Sequence, residues 1–177
     1  MAAAGYGVVA LEVSPTRRRY AEQKLGVVMV QDAESAVRDP NLAGTFACFF
    51  TAHVLEHVPN PKVVFNLAAK LLRPGGLFVS FTPNGSLHAK AAWAGWNKAW
   101  GEVHPNFIDD RFLNRAFEDS PRVIGSSPVS RVELPSDAVL KRLNELTGPE
   151  LFFAAQVLSP TAAARSEHGG RTESERE

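Results

Sequence analysis

Alternation of short apolar runs with capped amphipathic segments is the feature that most restricts this chain. Tyr6 to Val13 (YGVVALEV) is β-branched and apolar until Glu12, the pattern of a strand buried on both faces. Ser14-Pro15 follows, one residue suited to an N-cap and one pre-set for a first helical turn, and TRRRYAEQKL then runs to Gly26 in the position after a helix. Val27 to Val30 (VVMV) is a second buried strand closed by Gln31-Asp32, and the polar stretch Ala33 to Gly44 carries a short helix or loop. Thr45 to Ala52 (TFACFFTA) is a third strand. After His53 to Pro59, Asn60-Pro61 opens a helix through Leu72 that Arg73-Pro74-Gly75-Gly76 stops, and Leu77 to Thr82 (LFVSFT) is the next strand. Repeated strand-then-helix steps predict an α/β fold whose parallel sheet is joined by right-handed crossovers.

The pattern changes after Pro83-Asn84-Gly85. Ser86 to Glu102 reads as one amphipathic helix with Trp93, Trp96 and Trp100 on a shared face. Asp109 or Asp110 starts a helix toward Phe117, Val129 to Leu134 reads as a strand, Ser136 caps a helix through Leu146, and Leu151 to Leu158 (LFFAAQVL) is a last apolar strand. Residues 1–159 form one domain in this reading, and the charged stretch over 160–177, without large apolar residues, is expected to be disordered.

Composition excludes several functional classes. Lys+Arg and Asp+Glu both number 19 in 177 residues, which leaves no basic surplus for nucleic acid or an anionic membrane. The single cysteine, Cys48, forms no intramolecular disulfide and supplies no metal-binding cysteine pair, so no metal ligand set is expected. No apolar run approaches the roughly 20 residues that span a bilayer. A cytoplasmic, reducing location is the expectation. Arg17-Arg18-Arg19 reads as a solvated helix face and Cys48 as packing within a strand.

In an open α/β sheet ligands sit outside the carboxyl ends of the strands, which directs attention to Glu12, Asp32, Thr51 to His53 and Thr82 to Asn84. Glu12 suits a carboxylate that accepts from both hydroxyls of an adenosine ribose, or it is a solvated strand-end acid. Asp32 suits an acceptor for an adenine amino group, or a turn-forming Asp.

The segment FACFFTAHVLEHVPNPKVVFNLAAKLLRPGGLFVSFTPN, Phe46 to Asn84, resembles the strand-helix-strand centre of class I S-adenosylmethionine-dependent methyltransferases. Leu55-Glu56-His57-Val58, Leu72-Arg73-Pro74-Gly75-Gly76 and Thr82-Pro83-Asn84 match that family's linked motifs at the expected separations, and the likeness extends from Gly5 to Leu158. It implies a Rossmann-like three-layer sandwich with a mostly parallel sheet. It also implies S-adenosylmethionine as cofactor, with Glu12 and Val13 at the ribose, Asp32 and Ala33 at the adenine, and Thr51, Ala52 and His53 at the methionine side or the acceptor. Leu151 to Leu158 resembles the family's final antiparallel strand.

The family's first strand and glycine-rich turn have no counterpart here. Met1 to Gly5 resembles the last turn of the helix that follows that turn, so the likeness implies a fold truncated at its amino terminus. Gly44-Thr45 stands where the family has an acid before its fourth strand. Because the first strand lies centrally, between the second and fourth, its absence implies that the flanking strands close up, that a partner chain fills the slot, or that the chain is a poorly folding fragment.

Methyl transfer from a sulfonium is an in-line displacement that needs alignment of the acceptor and, at times, removal of its proton. His53 and His104 are the candidate catalytic bases, with intrinsic pKa values of about 6.5 suited to neutral pH. His57 reads more simply as a turn hydrogen bond, and the tryptophan stripe either packs the core or lines an acceptor pocket. The expected activity is methylation of a small-molecule or similar acceptor. Its rivals are a non-catalytic methyltransferase-like subunit and, more remotely, a nicotinamide-dependent oxidoreductase.

Overall fold

The structure is a computed structural model that describes residues 2–30, 32–101, 104–129 and 131–157. Its elements follow in the order β1 (Val9–Leu11), α1 (Pro15–Tyr20), β2 (Val28–Val30), α2 (Ala33–Arg38), β3 (Phe46–Ala52), α3 (Lys62–Leu71), β4 (Leu72–Pro83), α4 (Leu87–Ala92), α5 (Asp110–Ala116), β5 (Arg122–Ser126), β6 (Leu140–Arg142) and β7 (Glu150–Gln156). Helix α1 starts where Ser14 accepts from the Arg17 N–H, with Pro15 as its first residue, and continues as a wider turn over Ala21–Leu25 that ends at Gly26.

These strands make two sheets rather than one. β1 and β2 pair in parallel by themselves, Val9 opposite Val28 and Leu11 opposite Val30, while β3-β4-β7-β5-β6 form a five-stranded sheet. In the larger sheet β3 is parallel to β4 and β5 to β6, and β7 runs antiparallel between β4 and β5. Among the described residues β1 and β3 do not pair, so of the three alternatives the closing-up of the flanking strands is not the one observed. The expectation that Tyr6 to Val13 is buried on both faces also fails: only three of those residues form β1, Leu11 is exposed, and Val13 is 83% exposed. Burial of a strand on both faces needs neighbours on both edges and helices over both faces, and β1 has only β2 beside it.

The core lies on the larger sheet. α3 buries Val64, Ala68 and Leu71, spaced as one helical face, against it. Phe78 of β4 is fully enclosed, with ring centroids of Phe49, Phe65, Phe117 and Phe153 at 6.0, 5.4, 5.1 and 6.5 Å. Truncating such a residue to Ala costs about 3–5 kcal/mol. The opposite face carries Val79, Phe81, Val123, Phe152 and Ala154, covered by Val129 and Leu134 of the connection after β5 and by Leu143 just beyond β6. β7 reads LFFAA because both of its faces are enclosed.

Four local expectations are corrected. Val129 to Leu134 is not a strand among its described residues; the strand there is β5, whose Arg122 and Ser126 conceal its apolar character. Ser136 to Leu146 is not a helix, since Leu140–Arg142 instead pairs in parallel with Arg122–Ile124. The strand after α3 begins at Leu72 rather than Leu77, and the Arg73–Gly76 stretch is accommodated by a register shift opposite Phe46 and Cys48. Ser86 to Glu102 is not one helix: α4 ends before Trp93, and a separate single turn spans Trp96–Ala99. Gly95, a poor helix residue, sits in that break, and the Trp96 indole N–H donates to the Asn84 carbonyl at 2.9 Å. Residues 158–177, and with them the expected disorder over 160–177 and the last residue of the Leu151 to Leu158 strand, lie outside the described residues.

Candidate functional site

The residues expected to carry chemistry divide between the two sheets. At the carboxyl ends of β1 and β2, Glu12 Oε1 accepts from the Ser14 N–H at 2.8 Å, and the Arg18 guanidinium donates to the Glu12 carbonyl at 2.9 and 3.2 Å. Asp32 is the N-cap of α2: Oδ1 accepts from the Ser35 N–H at 2.7 Å and Oδ2 from the Ser35 hydroxyl at 2.9 Å. Those bonds, the backbone one foremost, hold the Asp32 carboxyl below its usual value. Ala33 is the first residue of α2, and Val13 stands exposed beside Glu12.

The second group is built on the ends of β3 and β4 and the start of β7. Thr51, opposite Ser80, and Ser80 itself are buried with hydroxyls that make no hydrogen bond. Ala52 ends the strand, exposed. His53 continues the ladder, its N–H on the Phe81 carbonyl at 2.9 Å, but turns into left-handed backbone with φ 53°, uncommon for a residue with a side chain. That turn drives Leu55 and Glu56 inward, both fully buried, and closes with the His57 N–H on the Val54 carbonyl at 3.0 Å.

Glu56 is a carboxylate inside the protein. Oε2 accepts from the Thr82 hydroxyl at 2.9 Å, whereas Oε1 makes no hydrogen bond. His53 Nδ1 approaches Oε1 to 3.2 Å and His57 Nε2 to 3.9 Å, without hydrogen-bond alignment. The other face of the His53 ring meets a second acid, Nε2 standing 3.0 Å from Glu150 Oε1, so two carboxylates orient this half-exposed imidazole. His104 arrives from the segment after Trp100: its Nδ1 faces the Ala99 carbonyl, and its ring lies edge-on to His57 with centroids 4.6 Å apart. Asn106 ties that segment down, its N–H on the Glu56 carbonyl at 3.4 Å and its side-chain amide on the Val58 carbonyl.

Asn84 serves structure. Its amide donates to the Leu146 and Gly148 carbonyls at 2.8 and 2.9 Å, and its oxygen accepts from the Ser86 N–H at 3.1 Å. Gly85 follows because a Cβ there would lie 2.7 Å from the Ile108 carbonyl oxygen, with which its own N–H bonds at 2.9 Å. The tryptophans belong to this packing: Trp96 and Trp100 centroids are 5.5 Å apart, and Trp100 stacks on Phe107 at 4.5 Å. Sequence reasoning missed Glu56 and Glu150 as site residues. The first carried a signal, an acid between an apolar strand and a helix; the second joins His53 only because β7 runs antiparallel to β4, with Glu150 opposite Pro83.

A sequence profile described as a methyltransferase domain matches residues 1–120. The chain belongs to this methyltransferase family. A 48-residue stretch is 44% identical to the ubiquinone biosynthesis O-methyltransferase of Marinobacter nauticus; it covers 27% of this chain and 20% of that relative's length. The fold is similar to that of a SAM-dependent methyltransferase from Methanosarcina mazei, with a TM-score of 0.60 at 12% identity over 89% of this chain and 85% of the other. It is similar also to a chain in the complex between the Haloferax volcanii Trm112 methyltransferase activator and its methyltransferase, with a TM-score of 0.58 at 14% identity, covering 87% and 74%. The Rossmann-like α/β fold expected for a methyltransferase is therefore the fold observed. Such a domain implies S-adenosylmethionine as cofactor. The carboxylates after β1 and β2 and the orphaned Thr51 hydroxyl at the carboxyl end of β3 are groups that fit the polar parts of that molecule. Among the described residues no helix is long and apolar enough to cross a membrane.

Proposed function

We propose that this domain binds S-adenosylmethionine along the carboxyl ends of β1, β2 and β3 and transfers its methyl group to an oxygen of a small-molecule acceptor. The observation that carries the reading is the methyltransferase-domain match over residues 1–120, which contain every residue invoked except Glu150. Similarity to an O-methyltransferase over 48 residues supports oxygen as the acceptor atom. Glu12, with Val13 beside it, takes the ribose hydroxyls; Asp32 and Ala33 take the adenine edge; Thr51, Ala52 and His53 meet the methionine side. When bound, the cofactor supplies a methyl group activated by its sulfonium. His53, whose Nδ1 and Nε2 stand 3.2 and 3.0 Å from Glu56 and Glu150 oxygens, accepts the acceptor's proton at Nε2 when the half-exposed Glu150 contact gives way to the acceptor, with His104 as the second candidate base. The domain spans residues 1–159 and works in the cytoplasm.

A second reading, a non-catalytic methyltransferase-like subunit that pairs with a partner chain, is favoured by one observation: β1 and β3 each have an edge without a strand beside it among the described residues. A structural relative held in complex with a methyltransferase activator supports partnership of some kind. Calorimetric titration with S-adenosylhomocysteine separates the two. Saturable binding that Glu12→Ala weakens at least tenfold supports the cofactor site. Affinity unchanged by Glu12→Ala removes the ribose assignment, and absence of binding by a folded chain favours the subunit.

A further inference from the structure

Glu56, His57 and His104 each offer one ligand atom, and the three atoms lie within 4.8 Å of one another. We propose that they form a binding site for one borderline divalent transition-metal ion, zinc being the best match to two imidazoles and a carboxylate. The sequence expectation of no metal set rested on cysteine pairs and did not test such a combination.

Two observations beyond proximity point to a ligand. Glu56 is fully buried, and its Oε1 makes no hydrogen bond although His53 Nδ1 stands 3.2 Å away; a buried carboxylate oxygen left without a hydrogen bond is costly unless something positive meets it. His104 places Nδ1 against the Ala99 carbonyl, the arrangement by which a backbone oxygen fixes the tautomer of a metal-ligating histidine and turns the Nε2 lone pair toward the metal. The remaining Glu56 oxygen is held by the Thr82 hydroxyl at 2.9 Å, so the carboxylate has an outer support as well. The three ligands come from a turn and a separate segment that Asn106 joins through the Glu56 and Val58 carbonyls, which gives the site a preformed frame.

Bonds of about 2.1 Å to nitrogen and oxygen place neighbouring donors around a four-coordinate ion roughly 3.4 Å apart. Separations of up to 4.8 Å therefore close by as much as about 1.4 Å on binding, a movement in which the His57 side chain, 46% exposed, takes part. Three protein ligands leave a position open. On the methyl-transfer reading, which this role rests upon, an acceptor hydroxyl in that position is acidified by the ion and gives its proton to His53, and His104 becomes a ligand in place of a base.

Metal binding is measured without cofactor, so its outcome is independent of the S-adenosylhomocysteine titration. Tag-free chain, stripped with a chelator and dialysed, is titrated with Zn²⁺ by calorimetry and with Co²⁺ by visible absorption. The expected result is one equivalent per chain, Co²⁺ bands of a low-coordinate site, and no saturation by Mg²⁺. His57→Ala and His104→Ala each weaken Zn²⁺ binding at least tenfold while far-UV circular dichroism stays unchanged. His88→Ala/His168→Ala, which removes two histidines not among the three named ligands, leaves binding intact. No saturable Zn²⁺ binding by the folded chain overturns the site, as does binding that survives both His57→Ala and His104→Ala or is lost in the His88→Ala/His168→Ala control.

Discussion

Arg122 is a buried cation held by neutral partners. Its Nε donates to Asn114 Oδ1 at 2.8 Å, and Nη1 to the Glu118, Ser120 and Ala138 carbonyls at 2.9, 2.8 and 3.2 Å. Burial holds its pKa below the ordinary guanidinium value, partly offset by the charges of Glu118 and Asp119. Replacement by Leu leaves those acceptors without a donor and is expected to cost about 2–4 kcal/mol in urea unfolding. Arg122→Lys restores less than half of that loss, because an ammonium does not reproduce the fork that spans Asn114 and the carbonyls. Burial likewise pushes the Cys48 thiol up. Stability from the neutral thiol is intact below about 9.0, the value of an exposed thiol, and declines as pH rises beyond it, since the unfolded chain then ionises first. Cys48 is expected to react with a disulfide reagent at pH 8 many times more slowly in the folded chain than in urea; equal rates would contradict its placement in β3.

Among the elements, protection should follow pairing. β4 and β7 have strand neighbours on both sides, whereas β1 and β2 have only each other, and an isolated two-stranded sheet is marginal in water. Hydrogen exchange is expected to label Val9–Leu11 and Val28–Val30 at least a hundredfold faster than Phe78–Phe81 and Phe152–Ala155; comparable protection would mean that the small sheet is held by contacts other than pairing. The same principle explains which elements were legible. α1, α2, α3 and α5 carry their own boundary signals in Ser14-Pro15, Asp32, Asn60-Pro61 and Asp109, and each helix starts within a residue or two of them. The 136–146 stretch has an amphipathic pattern, but β5 presents an open edge. The Arg122 N–H takes the Val139 carbonyl at 3.2 Å, and Asn144 clamps Ser126 through both backbone groups at 2.9 and 2.7 Å. Pairing outweighed local propensity there.

At the scale of the molecule the division into two sheets should appear in unfolding. All three tryptophans follow β4, on the larger unit, so fluorescence reports that unit while far-UV circular dichroism reports both. In guanidinium the dichroism transition is expected to begin at lower denaturant than the fluorescence transition; coincident curves would show one cooperative body. The order of strands and helices up to Thr82, the motif turn at Leu55 to Val58 and the last strand were determined by the sequence alone. They rest on local periodicity, caps and glycine or proline stops, which act between residues a few positions apart. The pairing of β7 between β4 and β5, the break between β1 and β3, and the meeting of the His53 to His57 turn with His104 and Glu150 were decided only by the tertiary structure. Each depends on which edge or buried face remains to be satisfied once the rest of the chain has packed, and a side chain 97 residues away, as Glu150 is from His53, leaves no trace in local pattern.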